Sequence, residues 1–234
     1  MDFQSPDFTP AYSEIFMLIM VCVVMLGDLF AGEKKRYVAY FLTQVTLLGC
    51  AVLTFSSLST TVSYTFSGMY VDDAMADILK LMVYGTVSAV LIYSHGYISE
   101  RGMLTGEFFS LILFATLGMM VMISASHFLT LYIGLELLSL SLYALVALRR
   151  ESYIATEAAM KFFVLGALAS GFLLYGMSMV YGATGTLHVT QLAEIIRSGV
   201  SSQEVLVIGL VFIIAGISFK LSAAPFHMWA PDVY

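Results

Sequence analysis

Residues 127–148, HFLTLYIGLELLSLSLYALVAL, carry a single charged side chain, Glu136, near the middle of an otherwise apolar run. A helix that crosses a bilayer needs roughly 20 mostly apolar residues, and an acidic group at mid-depth costs about 2.5–3.5 kcal/mol or more. Tyr132, Glu136, Ser139 and Tyr143 follow helical spacing, so the carboxylate lies in a polar stripe and not alone against lipid. Gly134, two residues earlier, leaves room for a neighbouring backbone. Ionisable groups inside membranes mark ion and proton pathways by default. The competing reading is a neutral, hydrogen-bonded acid that serves only as packing glue.

The rest of the chain repeats this apolar character. Of its 234 residues, 60% are hydrophobic and 11% charged, against about 25% charged in a soluble domain. The expectation is an all-α, polytopic transmembrane bundle. Apolar runs predict helices over 12–31, 37–58, 74–94, 107–125, 127–148 and 155–181, with a seventh from about 204. The first run lacks a basic leader and a small-residue cleavage site, so it reads as a retained helix. The short SASH turn makes the fourth and fifth helices antiparallel neighbours. Gly166, Ser170, Gly171 and Gly176 give the sixth a small-residue spacing suited to close helix packing. VTQLAEIIRS, in the long loop before the seventh, reads as a short amphipathic surface helix. Asp77 and Lys80 stand three apart near one end of the third helix, where they pair or snorkel to the interface. His95 and Arg101 fall in the loop that follows.

Charge orients the spans. Lys34, Lys35, Arg36, Arg101, Arg149 and Arg150 lie in odd loops, while the even loops hold only Arg197. The positive-inside rule puts the N-terminus outside. The net charge of −6 says little about partners in so apolar a chain, and no basic stripe calls for nucleic acid. Cys22 and Cys50 sit singly in apolar runs, which argues against a disulfide framework or a metal cluster. No glycine-rich loop follows a strand to hold a nucleotide. The expected chain therefore has no cofactor, no metal and no catalytic residue of its own.

The three basic residues outside the loops, Lys80, Lys161 and Lys220, lie inside spans. Lys220 stands in VFIIAGISFKLSAAPF, five residues before Pro225. Proline cannot donate to the helical ladder and clashes one turn back, so the seventh helix should break between about 221 and 226. Irregular backbone at membrane depth is tolerated only inside protein or beside a wet cavity, and a lysine at such a break suggests a hydrated site. The alternative is a lysine snorkelling from a helix end. Glu157 and Lys161 stand one turn apart on the sixth helix, so a local ion pair competes with a relay role. At an effective dielectric of about 20, a carboxylate moved from about 4 to about 10 Å from an ammonium loses roughly 2.5 kcal/mol. Such groups can hand protons on; nothing groups Ser, His and Asp for hydrolysis.

LYIGLELLSLSLYAL, TEAAMKFFVLGALASGFLLYGMS and ISFKLSAAPFHMWAPDVY together resemble the antiporter-like membrane subunits of proton-pumping NADH:quinone oxidoreductase, respiratory complex I. That family includes subunits L, M and N and cation/proton antiporters, and GATGTLHVTQLA favours subunit N. The resemblance implies that Glu136 on helix five pairs with Lys220 on a broken helix seven. It further implies that Lys161 is the helix-six lysine, and that Pro225 and His227 form the motif after the break. Glu136, Lys161, Lys220 and His227 would then be the proton relay. Family members run to about fourteen helices in two inverted repeats. Residues 1–106 are thus expected to be three leading helices, and 107–234 the first, incomplete repeat, without a complete proton path. The implied partners are other membrane subunits of complex I, the lipid bilayer and protons, with quinone reached only through the complex. NADH, flavin and iron–sulfur groups would lie elsewhere, and the implied location is the bacterial inner membrane. A secondary cation/proton antiporter without redox chemistry would show similar sites, and a purely structural membrane subunit is a third reading.

Overall fold

The apolar runs fold as helices, and in the computed structural model residues 7–31, 37–58, 61–199 and 202–233 are described. Among them seven helices are long and apolar enough to cross a membrane, and the chain is an integral, multi-pass membrane protein. The spanning helices are α1 (Tyr12–Ala31), α2 (Tyr37–Ser57), α3 (Ala74–Glu100), α4 (Gly106–Ile123), α5 (Phe128–Val146), α6 (Tyr153–Thr184) and α8 (Gln203–Lys220). Short helices α7 (Val189–Ser198) and α9 (Ala230–Val233) complete the set. The predicted surface helix VTQLAEIIRS is α7, residue for residue. Lys34, Lys35 and Arg36, which weigh heavily in the orientation argument, lie outside the described residues.

Two compact bodies emerge. The first is Met1–Ala125 with Ile133–Ser141. Its core takes Met17, Val21 and Val24 from α1, Leu47 and Cys50 from α2, Tyr84 and Leu91 from α3, and Phe109, Leu113 and Met120 from α4. Hydroxyls that would otherwise be stranded in this apolar setting bond back along their own helix. Thr43 donates to the Ala39 carbonyl (2.8 Å) and Thr46 to that of Leu42 (2.7 Å). Asp73 and Thr105 cap α3 and α4, accepting from the backbone N–H groups of Ala76 and Phe108. The loop after α2 adds a feature absent from the all-helical expectation. Strands β1 (Ser63–Thr65) and β2 (Tyr70–Asp72) pair antiparallel around a turn in which Phe66, Ser67 and Gly68 all take positive φ. The Val71 N–H then bonds the Ser124 carbonyl (2.9 Å), tying the hairpin to the turn after α4.

The expected loop position of His95 is corrected. Its residue falls inside α3, which runs on to Glu100; at 1.5 Å per residue that helix is about 40 Å long and outruns a hydrocarbon core of about 30 Å. The His95 ring lies 4.8 Å from that of Tyr40, edge to face, so aromatic packing holds the extra turn in place. The close approach foreseen at Gly134 is present: a Cβ there would meet the Gly118 carbonyl at 2.8 Å and the Met122 nitrogen at 2.8 Å.

The second body is Ser126–Tyr132 with Leu142–Tyr234. Here α6 and α8 cross backbone to backbone. A Cβ on Gly176 would meet the Gly209 carbonyl at 2.6 Å, and one on Gly216 the Ala169 carbonyl at 2.9 Å. Small residues at helix crossings are how membrane helices gain dispersion energy without a hydrophobic drive. Gly171 is the exception in the predicted stripe, since a Cβ there would meet nothing within 4 Å. Tyr143, Phe162, Ala169, Phe219 and Trp229 form the core of this body.

Candidate functional site

The break after Lys220 is where the second body becomes polar. Helix α8 ends at Lys220 and residues 221–229 are non-helical, with Ser222 at positive φ and a cis peptide before Pro225. Ending a helix inside a bundle strands carbonyls, and long-range partners answer this: the Trp229 indole N–H donates to the Phe219 carbonyl at 3.1 Å. Trp229 in turn stacks on Phe162 of α6, 4.3 Å between ring centres. Phe162 meets the Tyr143 ring edge-on at 4.5 Å.

Lys220 reaches this aromatic wall. Its Nζ donates to the Tyr143 hydroxyl at 3.2 Å and stands 5.6 Å from the Tyr143 ring centre, so a half-buried ammonium has both a hydroxyl acceptor and a π face. The Tyr143 hydroxyl lies where a Cβ on Gly166 would be. One glycine of the stripe therefore makes room for the lysine's partner, a purpose its spacing does not reveal. Pro225 and His227 are exposed in the non-helical segment, and the His227 carbonyl accepts the Ala230 N–H at 3.0 Å.

Lys161 is exposed and stands 3.0 Å from Glu157 Oε1, the expected one-turn pair, and equally 3.0 Å from Asp232 Oδ2 on α9. Asp232 escaped the sequence reading because it lies 71 residues away. Glu136 belongs to the first body, half-buried on α5. Two residues of the stripe proposed around it, Ser139 and Tyr143, are buried. His127 and His188, at the starts of α5 and α7, meet edge to face at 4.6 Å across an antiparallel bridge. Burial first, and His188 second, hold the His127 imidazole below its usual pKa.

The expectation for Asp77 and Lys80 is corrected. Lys80 neither snorkels nor pairs with Asp77: it is 1% exposed, and its Nζ lies 2.8 Å from Glu14 Oε1 on α1. It also donates to the Tyr70 hydroxyl at 2.8 Å, and that hydroxyl donates to Glu14 Oε1 at 2.8 Å. A charge in a spanning helix that cannot reach the interface needs a counter-charge. Glu14, the sole acid in the first turn of α1, was the signal available to find it. Among the described residues no group of three His, Cys, Asp or Glu side chains is arranged to hold a metal ion.

Comparison with known proteins adds to this geometry. The transmembrane family described as NADH:quinone oxidoreductase/Mrp antiporter matches residues 125–234. NADH-quinone oxidoreductase subunit N of Nitrosomonas europaea is 72% identical over 100% of this chain and 49% of its own length. The subunit N of Thiobacillus denitrificans is 59% identical over 97% of this chain and 47% of its own length. The chain thus spans about half the length of the curated relatives it matches. A chain of respiratory complex I from Thermus thermophilus is similar in structure, with a TM-score of 0.71 and 29% identity, over 93% of this chain and 47% of that one. A chain of the membrane-bound sulfane sulfur reductase, an archaeal respiratory membrane complex, shares the fold with a TM-score of 0.77 at 24% identity, over 97% of this chain and 48% of that one.

Proposed function

We propose, from its membership of the subunit N family of NADH:quinone oxidoreductases, that this chain contributes to proton translocation as part of a membrane subunit of complex I. Glu136, Lys161, Lys220 and His227 are the groups through which it acts. The observation that carries this reading is Lys220 at the broken end of α8, half-buried and bonded to the Tyr143 hydroxyl. A lysine so placed has a polar neighbour with which to exchange a proton and irregular backbone around it to admit water. Glu136 supplies the carboxylate on α5, the helix that also carries Tyr143. Lys161, held between Glu157 and Asp232, is the exposed member of the relay.

In this reading the redox groups, NADH, flavin and iron–sulfur clusters, belong to other subunits. Enzyme activity then arises only in the complex, and quinone is reached only through it. The partners are the neighbouring membrane subunits, and the site of action is the bacterial inner membrane with the N-terminus outside. A secondary cation/proton antiporter is the weaker alternative, because the relatives that align with this whole chain carry the oxidoreductase name. The test is proton uptake by vesicles containing the complete complex, normalised to assembled enzyme. Glu136→Ala and Lys220→Ala, each introduced into the complete subunit, should strongly reduce pumping while assembly persists, and Glu136→Asp should keep part of it. Normal pumping by either alanine variant would refute the relay. Proton–cation exchange without NADH oxidation would favour the antiporter.

A further inference from the structure

The Glu14–Lys80 pair accounts for only part of the charge buried in the first body. Glu14 is fully engaged, since its Oε1 faces Lys80 and Tyr70, and its Oε2 accepts from the Ser13 hydroxyl at 2.8 Å. Among the described residues Lys80 bonds Glu14 and Tyr70, and neither aspartate. Two further carboxyls remain beside this pair. Asp77 on α3 is 2% exposed and Asp72 on β2 is 8% exposed, and the two side chains stand within hydrogen-bonding contact of each other. The Oδ2 atom of Asp77 is buried and has no donor from any described residue.

Two carboxylates in contact away from water cannot both ionise, because each raises the cost of charging the other. A carboxylate oxygen has no proton of its own to offer, so the contact becomes a hydrogen bond only when one of the two carries a proton. Neutralising one carboxyl also lowers the cost of leaving Asp77 Oδ2 buried without a donor. We propose that Asp72 and Asp77 form a carboxyl pair that holds one proton between them at neutral pH, a proton-binding site in the first body separate from Glu136. The inference rests on the geometry of the first body and stands whether or not the oxidoreductase reading holds.

The surroundings fit this assignment. From α1 the pair is faced by Glu14, from β2 by Tyr70, from the N-cap of α3 by Asp73, and from α3 itself by Lys80. Asp73 is occupied in capping α3 through the Ala76 N–H at 2.7 Å. Among the described residues Lys80 is thus the one cation beside four neighbouring carboxyls, too little to neutralise them all. Asp72 itself is held above the usual carboxylate range, first by burial and then by Glu14 and Asp73, with Lys80 opposing. The strand that carries Asp72 is bonded to the turn after α4 through Val71, so the pair sits where the hairpin clamps the helices. The two acids titrate together as one coupled unit.

Infrared spectroscopy of the full 234-residue chain in nanodiscs tests this, with Glu136→Gln as the background so that its carboxyl is silent. At pH 7 the spectrum should contain one carboxylic-acid carbonyl band that shifts in heavy water. Asp72→Asn and Asp77→Asn should each abolish that band, and the double variant should lose no more than either alone. These amide replacements keep the shape and donate a hydrogen bond to the carboxylate left behind, and circular dichroism checks that the helices persist. The background protein decides the matter even if a variant misfolds: no acid band at pH 7 overturns the proposal. A band that survives at full intensity in a folded Asp72→Asn or Asp77→Asn variant also overturns it. So does a band that disappears when sodium chloride replaces choline chloride, because the pair would then hold a metal cation in place of a proton.

Discussion

Replacing Lys80 by methionine should be among the most damaging single changes in the first body. The ammonium lies 2.8 Å from Glu14 Oε1 with 1% of its surface exposed. At that distance, and an effective dielectric of about 20, the pair attracts by about 6 kcal/mol. Desolvating the two ions opposes this with several kcal/mol each, so the pair as a whole is worth little beside apolar residues of the same shape. The asymmetry appears when one partner goes. Lys80→Met leaves Glu14 charged and buried, which costs about 3–5 kcal/mol. The Ser13 and Tyr70 hydroxyls still donate to Glu14, so the lower end of that range is expected. Adding Glu14→Gln removes the orphan charge, and the double variant should lie within about 1–2 kcal/mol of the parent, the size of a lost hydrogen bond or two. Unfolding of the purified chain in mixed micelles, followed by circular dichroism across the four-member cycle, gives the coupling directly. A Lys80→Met variant as stable as the parent, or a double variant no better than the single, would refute the argument that Lys80 serves as the buried counter-ion of Glu14.

Gly176→Leu should destabilise the second body by about 1–3 kcal/mol or more, because its Cβ would strike the Gly209 carbonyl and the Ile213 nitrogen, both backbone; Gly171→Leu, facing open space, should unfold like the parent in the same micelle assay. The His127 imidazole is held below the ordinary histidine pKa of about 6.5, so the folded state resists the proton that the unfolded chain accepts. Its contribution to stability is then fully present above about pH 6.5 and lost as pH falls below that; a pH series of unfolding curves should show the loss, and His127→Gln should flatten it. Lys161 is 48% exposed between Glu157 and Asp232, so Asp232→Asn should change stability by no more than about 1 kcal/mol, read from the same unfolding curves. Tyr143→Phe removes the acceptor facing Lys220, a charge-assisted bond worth about 1.5–3 kcal/mol; in the complete subunit it should lower proton uptake while assembly persists, and unchanged uptake would exclude Tyr143 from the relay.

Hydropathy and helical period are local properties, and by themselves they determined the number of spans, the short helix at 189–198 and the end of α8 before Pro225. Glu136, Lys161 and Lys220 were equally visible, because a charge inside an apolar run stands out without any knowledge of its partners. The partners were not visible. Glu14 meets Lys80 and Asp232 meets Lys161 across long stretches of chain, and many pairings of that kind suit the same apolar pattern. The hairpin at 63–72 was hidden for a related reason: three-residue strands are too short to show a period of two, and the positive φ at Phe66 and Ser67 has no glycine to announce it. Gly166 illustrates the limit most clearly. Its place in a small-residue stripe pointed to helix packing, whereas the folded chain uses the missing Cβ to seat the Tyr143 hydroxyl beside Lys220. Local physics sets which residues must be buried and helical; only packing in three dimensions decides which buried group answers which.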